Sequence, residues 1–155
     1  MRWLLVVMCV APAIPPALAL SACDLLTKKE VAAVQGETFV DTKLTQSRDG
    51  KLDVSQCFYQ LPTFTKSVSL VLMTGSSARE YWSTKFEHEE EGKPPKEVEG
   101  VGSDALWSGN AKAGALYVLR RNVILRISVG GPGSEKEKIA KSKRLAAVAL
   151  RRLRG

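Results

Sequence analysis

Histidine is almost absent from this chain of 155 residues, which contains one, and cysteine occurs only three times. A metal site built from several imidazoles is therefore excluded, and any catalytic histidine would have to be His88. His88 lies among glutamates in residues 87–91, a composition typical of a solvated helix face rather than of the partly dry pocket that a catalytic histidine needs. We therefore predict no catalytic residue, no metal ligand and no cofactor.

Long hydrophobic runs are also missing, because the apolar stretch that opens the chain is shorter than the about 20 residues that span a bilayer. It follows a single positive charge at Arg2, and it continues past Pro12, Pro15 and Pro16 to a small-x-small site at residues 17–19. This order is typical of a secretory signal peptide. We predict a signal peptide over residues 1–22, cleaved near 19–22. The mature protein is then exported, periplasmic or secreted, with no transmembrane helix.

Cys23 supports two readings that exclude each other. Residues 20–23 have the form of a bacterial lipobox, which would make Cys23 a lipidated N-terminus and anchor the protein to a membrane. Alternatively, Cys9 leaves with the signal peptide, and the two remaining cysteines, Cys23 and Cys57, pair in an oxidising compartment. In the chain-entropy model a bond closing this loop contributes about 3–4 kcal/mol. One sulfur atom cannot do both.

Positive charge exceeds negative charge in the mature chain. Arg2 is one of 23 basic residues, so 22 remain against 16 acidic residues. Export makes nucleic acid an unsuitable partner, whereas anionic envelope surfaces would attract such a chain at long range. The candidate contacts lie near the C-terminus: Lys143, Arg144, Arg151, Arg152 and Arg154. The alternative is that these cations simply solvate the end of a helix, where positive charge is favourable.

Hydrophobic periodicity predicts an α+β fold in a single compact domain over residues 23–155. Helical patterns appear at 28–35, with a capping box at Thr27 and Glu30, then from residue 76 or 77 to Gly92, and from Ser134 to about Arg152. The strand patterns are 55–60, 67–73, 105–107, 115–120 and 123–129, with an extra one near 38–40. Residues 41–53 are polar, with a turn signal at 48–50. We therefore expect one antiparallel sheet of about five to six strands, with the N-terminal, middle and C-terminal helices packed on it.

Two glycine-rich segments resemble phosphate-binding loops only superficially. Neither residues 100–102 nor residues 130–133 have the spacing of such a loop followed by a lysine on a helix. We interpret both as turns.

Two segments together resemble a group of small exported bacterial proteins and lipoproteins of unknown function. The first is the Cys-x-Leu-Leu-Thr helix start at residues 23–27, followed by a second cysteine on a strand, as at Cys57. The second is the turn Val-x-Gly-Val-Gly-Ser-Asp-Ala at residues 98–105, in which Ser103 is inserted relative to the group. The resemblance implies a compact α+β domain with the two cysteines bonded. Many relatives carry the lipidated cysteine well upstream of this helix, and the missing spacer favours the disulfide.

Three functional hypotheses follow. The leading one is a non-enzymatic domain that binds an unknown protein or small ligand in the bacterial envelope or outside the cell. The second is a membrane-anchored lipoprotein that acts as an accessory factor, for which the lipobox is the evidence. The third is a hydrolase with a carboxylate or histidine site that no motif marks.

The intact mass of the mature protein from its producing cells distinguishes the two readings of Cys23. We expect a start near Leu20 or Ala22 and a gain of two hydrogen atoms on reduction, because a Cys23–Cys57 bond would open. A diacylglyceryl group on Cys23 together with a free thiol at Cys57 would contradict this expectation.

Overall fold

The computed structural model describes residues 20–87 and 93–153. They form an α+β fold with a seven-stranded antiparallel sheet and three α-helices. In chain order the elements are α1 (Lys28–Gln35), β1 (Asp41–Asp49), β2 (Leu52–Gln60), β3 (Val68–Thr74), α2 (Ala78–Glu87), β4 (Lys96–Glu97), β5 (Asp104–Gly109), β6 (Gly114–Arg120), β7 (Val123–Val129) and α3 (Glu135–Arg152). The strand order across the sheet is β1-β2-β3-β7-β6-β5-β4. Among these residues, no helix is both long enough and apolar enough to cross a membrane.

The sheet is larger than the expected five to six strands. Two strands were missed: β1, which lies in the segment predicted as a polar loop, and the two-residue β4. The extra strand expected at 38–40 does not form. Every residue of β1 is exposed, because β1 is an edge strand and no helix covers it. It therefore has no buried apolar face, and its sequence lacks the alternation that marks a half-buried strand.

The helix starts follow the capping residues. Thr27 Oγ1 accepts a hydrogen bond from the Glu30 backbone N–H, while the Glu30 carboxylate accepts one from the Thr27 N–H. Gly36 ends α1 with a φ of 76°, a left-handed conformation that glycine adopts without strain. Ser134 and Glu137 form the same reciprocal pair at the start of α3. The predicted bounds of α1 and α3 are confirmed because local hydrogen bonds determine them.

The main core lies between one face of the sheet and the helices α1 and α3. We call this the covered face. Val123, Leu125, Ile127 and Val129 of β7 lie on it, as their period-two pattern predicts. Neighbouring strands add Tyr59, Leu70, Trp107, Leu116 and Val118, among others.

Sequence periodicity predicts that Ile139, Ala146, Leu150 and Leu153 form the apolar side of α3, and the buried side differs from it in part. Leu145 and Ala149 belong to the core, whereas Ile139 and Leu153 are only partly buried. Lys138 is also buried, and its ammonium group donates a hydrogen bond to the Val129 carbonyl at 3.1 Å. Burial, followed by the nearby charge of Lys141, lowers the pKa of Lys138. The carbonyl of Val129, at the end of β7, thus provides a hydrogen-bond partner for the buried ammonium group of Lys138.

The second face carries a smaller core under α2. Ala78 is fully buried, and Tyr81, Trp82 and Phe86 pack partly buried against the sheet. Their partners are Leu52, Val71, Met73, Ala115, Tyr117, Leu119 and Ile124. The aromatic side chains of α2 therefore serve packing, and α2 covers only part of this face.

A proline scan of β1 tests whether this segment is a paired strand. A two-residue hairpin at Gly50-Lys51 closes with the pair Asp49–Leu52, so alternate residues, including Thr45, direct their N–H groups toward β2. Thr45→Pro should therefore destabilise the protein by about 1 kcal/mol more than Gln46→Pro, whose N–H points away from the sheet. Chemical denaturation of both variants measures the difference. Equal losses would contradict this pairing.

Candidate functional site

Cys23 and Cys57 lie within bonding distance in the core. Their sulfur atoms are 2.06 Å apart and their Cα atoms 5.0 Å apart. Cys57 is fully buried on β2, and Cys23 is half-buried against the same core. A pair at disulfide distance is compatible with an exported protein, because disulfides persist in oxidising compartments. Lipidation of Cys23 would require that sulfur to be free.

The residues around Cys23 are held to the sheet by side-chain hydrogen bonds. The Ala22 N–H donates to Ser55 Oγ at 3.0 Å, and the Tyr59 hydroxyl donates to the Ala22 carbonyl at 2.7 Å. Burial raises the pKa of Tyr59 well above its usual value, so this hydroxyl remains a donor at any physiological pH. These residues are architectural, since they bond both backbone polar groups of the buried Ala22.

The structure does not bring the C-terminal cations together. Arg152 donates to the Leu25 carbonyl at 2.6 Å and to both carboxylate oxygens of Glu30, at 2.8 and 2.6 Å. The hydrogen bonds from Arg152 lower the pKa of Glu30 to about 2, and burial offsets only part of this shift. Arg152 therefore ties α3 to the start of α1.

The other predicted contact residues differ in exposure and in contacts. Arg144 and Arg151 are exposed and lie seven residues apart, so they share one side of α3. Arg144 makes a long contact of 3.4 Å with the Ala33 carbonyl. Lys143 is half-buried. Arg154, residues 1–19 of the predicted signal peptide and residues 88–91 of the His88 cluster lie outside the described residues.

Part of the second face of the sheet is left uncovered by α2. We call this surface the open face and define it by six residues: Lys43, Gln56, Phe58, Ser69, Arg126 and Ser128. Ser69 lies between Phe58 on β2 and Ser128 on β7 in the strand register. Arg126 lies between Val71 on β3 and Tyr117 on β6. The open face therefore crosses the sheet from its β1 edge to its centre.

An aromatic pair lines the edge of this surface. The rings of Phe58 and Phe64 are 5.7 Å apart, and Phe64 is 64% exposed, which is unusual for so large an apolar side chain. They form one side of a groove of about 580 Å³. Its other lining residues are Asp41, Thr42, Lys43, Thr45, Gln56 and Gln60. The groove combines apolar contact area with hydrogen-bonding side chains.

Two cations meet at one aromatic ring at the inner end of the open face. The Arg126 Nε–H donates to the Tyr117 hydroxyl at 3.0 Å, and its guanidinium carbon lies 5.7 Å from the ring centroid. The ammonium group of Lys85, from α2, lies 5.3 Å from the same centroid. Within the part of the chain that the structure describes, neither cation forms an ion pair with a carboxylate. The site is thus a concentration of positive charge with a half-buried guanidinium.

An acidic concavity lies on the other side of α2. It has a volume of about 480 Å³ and is lined by Trp82 and by the turn at residues 97–106, including Glu97, Glu99 and Asp104. Gly102 in this turn has a φ of 66°, and a Cβ there would lie 2.3 Å from a methyl carbon of Val118. The glycine motif therefore serves close packing. No group of three metal-ligating side chains occurs among the described residues.

The open face offers positive charge and hydrogen-bonding side chains. Sequence reasoning did not select Arg126 as a functional residue, although one signal was present. It is the only charged residue within the strand 123–129, at a position that alternates with apolar ones.

The ion pair between Glu30 and Arg152 should contribute to stability above about pH 4.5 and be lost as the pH falls toward 2. The sign follows because the pKa of Glu30 is lowered in the folded state, so protonation favours unfolding. Arg152→Gln should cost about 1–2 kcal/mol at pH 7 and much less at pH 2, since both side chains remain partly exposed. Arg151→Gln is the matched control on the same helix turn. Denaturation curves of both variants at the two pH values measure the effect, and an equal loss at both would contradict it.

The comparisons with known proteins leave the family open. No family model matches the chain, and no curated protein matches it. Among solved structures, a GTP binding regulator from Thermotoga maritima is similar at 12% identity, over 79% of this chain and 88% of that one, with a TM-score of 0.43. A likeness at this level carries no information about the function of this chain.

Proposed function

We propose that this protein is an exported, non-enzymatic domain that binds a protein or small ligand through the open face. The observation that carries the proposal is the unequal coverage of the sheet. Two helices and the N-terminal segment bury one face, whereas the other keeps an aromatic pair with an exposed Phe64 and two cations that form no ion pair among the described residues. Exposed aromatic and arginine side chains are typical of binding surfaces.

The sequence supports the exported location. The first residues have the order of a signal peptide, and the mature chain retains two cysteines that lie at disulfide distance. A disulfide in the core would stabilise a small domain that must persist without cytosolic chaperones. The lipoprotein alternative requires a free Cys23 and is therefore the less favoured reading.

Aromatic-ring NMR signals test the binding surface directly. On addition of a soluble envelope extract, the signals of Phe58 and Phe64 should shift, because a ligand on the open face displaces water from their rings. Phe39 and Trp107 lie on the covered face and serve as internal controls. Phe64→Ala should weaken the response at Phe58, whereas Val40→Ala, which truncates another exposed apolar side chain, should not. Shifts confined to Phe39 and Trp107 would contradict the proposal, as would no shift at all.

A further inference from the structure

The cation cluster on the open face has an unusual electrostatic arrangement. Arg126 and Lys85 both lie within 6 Å of the Tyr117 ring centroid, and Tyr117 itself is buried. Two like charges held at one ring repel each other, and the repulsion is stronger in a partly buried site than in bulk water. The aromatic ring attracts each cation but leaves their mutual repulsion in place. A bound anion would relieve it.

The geometry of Arg126 limits the kind of anion that fits. Its Nε–H is occupied by the Tyr117 hydroxyl, which leaves the two terminal nitrogens to meet a ligand. Paired N–H groups of a guanidinium match the two oxygens of a carboxylate.

The surrounding backbone argues against phosphate. Phosphate sites in proteins commonly use free backbone N–H groups at helix starts or in nests. Arg126 lies in the middle of β7, which is paired on both sides by β3 and β6, so its neighbouring N–H groups are directed into the sheet. Only side chains can recognise a ligand here.

The neutral residues of the open face indicate what the body of the ligand carries. Ser128 lies two residues from Arg126 on β7, and Ser69 is its partner on β3. The Ser128 hydroxyl donates to the Gly114 carbonyl at 2.9 Å and keeps its oxygen as an acceptor, whereas the Ser69 oxygen accepts from Gln56 across 3.5 Å and keeps its hydrogen as a donor. Such groups pair with ligand hydroxyls. Phe58 on β2, the register partner of Ser69, offers an apolar surface.

We infer that Arg126 and Lys85 bind the carboxylate of a sugar acid, whose hydroxyl groups lie along Ser69, Ser128 and Gln56. This inference rests on the proposed function and names the ligand class for the open face. Arg126 supplies the paired hydrogen bonds, Lys85 supplies charge from α2, and Tyr117 positions both cations.

Calorimetric titration of the full mature chain with galacturonate tests the inference. Galacturonate should bind, galactose should not bind measurably, and acetate should bind at least 10-fold more weakly than galacturonate, because it lacks the hydroxylated body. Arg126→Gln should weaken galacturonate binding by about 10-fold or more, since a charge-assisted hydrogen bond is lost. Lys85→Gln should weaken it less, and Lys112→Gln, an exposed cation elsewhere, should have no effect.

Four results would overturn the inference: no binding of galacturonate, tighter binding of inorganic phosphate than of galacturonate, equal binding of galactose, or unchanged binding in Arg126→Gln. Circular dichroism of each variant checks that the fold is retained. If galacturonate does not bind while the ring signals of Phe58 and Phe64 still shift with the envelope extract, the sugar-acid assignment fails and the proposed function stands. If neither probe acts on the open face, both fail.

Discussion

The attachment of residues 21–26 to the covered face is the constraint on which the rest of the structure depends. Ala22, Leu25 and Leu26 are buried there, and the backbone N–H and carbonyl of Ala22 are hydrogen-bonded by Ser55 and Tyr59 of β2. The sulfur of Cys23 lies at bonding distance from Cys57 on the same strand. A short helix such as α1 is marginal alone, so its position is determined by this preceding segment and not by its own propensity.

One ion pair, between Arg152 and Glu30, connects this N-terminal segment to the C-terminal helix α3. Arg152 reaches both the Leu25 carbonyl and the Glu30 carboxylate, so the last turn of α3 is held to the first turn of α1. The two ends of the described chain thus close the covered face together. The same residue, Arg152, is thereby removed from any surface that could attract an anionic partner, because its charge is already compensated.

Coverage of one face leaves the other dependent on a single helix of ten residues. The aromatic side chains of α2 bury the region near Tyr117 and Ile124. Beyond it the sheet has no further helix among the described residues, and the side chains change from apolar to polar along β3 and β7, from Met73 to Ser69 and from Ile124 to Ser128. A surface of this kind is stable while exposed to water and still offers aromatic and charged groups to a ligand.

Features that depend on near neighbours in the chain are predictable from the sequence. The capping boxes at Thr27 and Ser134, the left-handed Gly36 and the alternation in β7 predicted the helix starts and the central strand, because those hydrogen bonds and faces are local. The pairing of the polar segment 41–49 as an edge strand depends on tertiary contacts, since its stability comes from hydrogen bonds to the backbone of β2. The same holds for the meeting of Lys85 with Arg126, which are forty-one positions apart and come together because α2 folds back across the sheet. Contacts between distant residues leave no periodic signal in the sequence, so the candidate site is visible only in the tertiary structure.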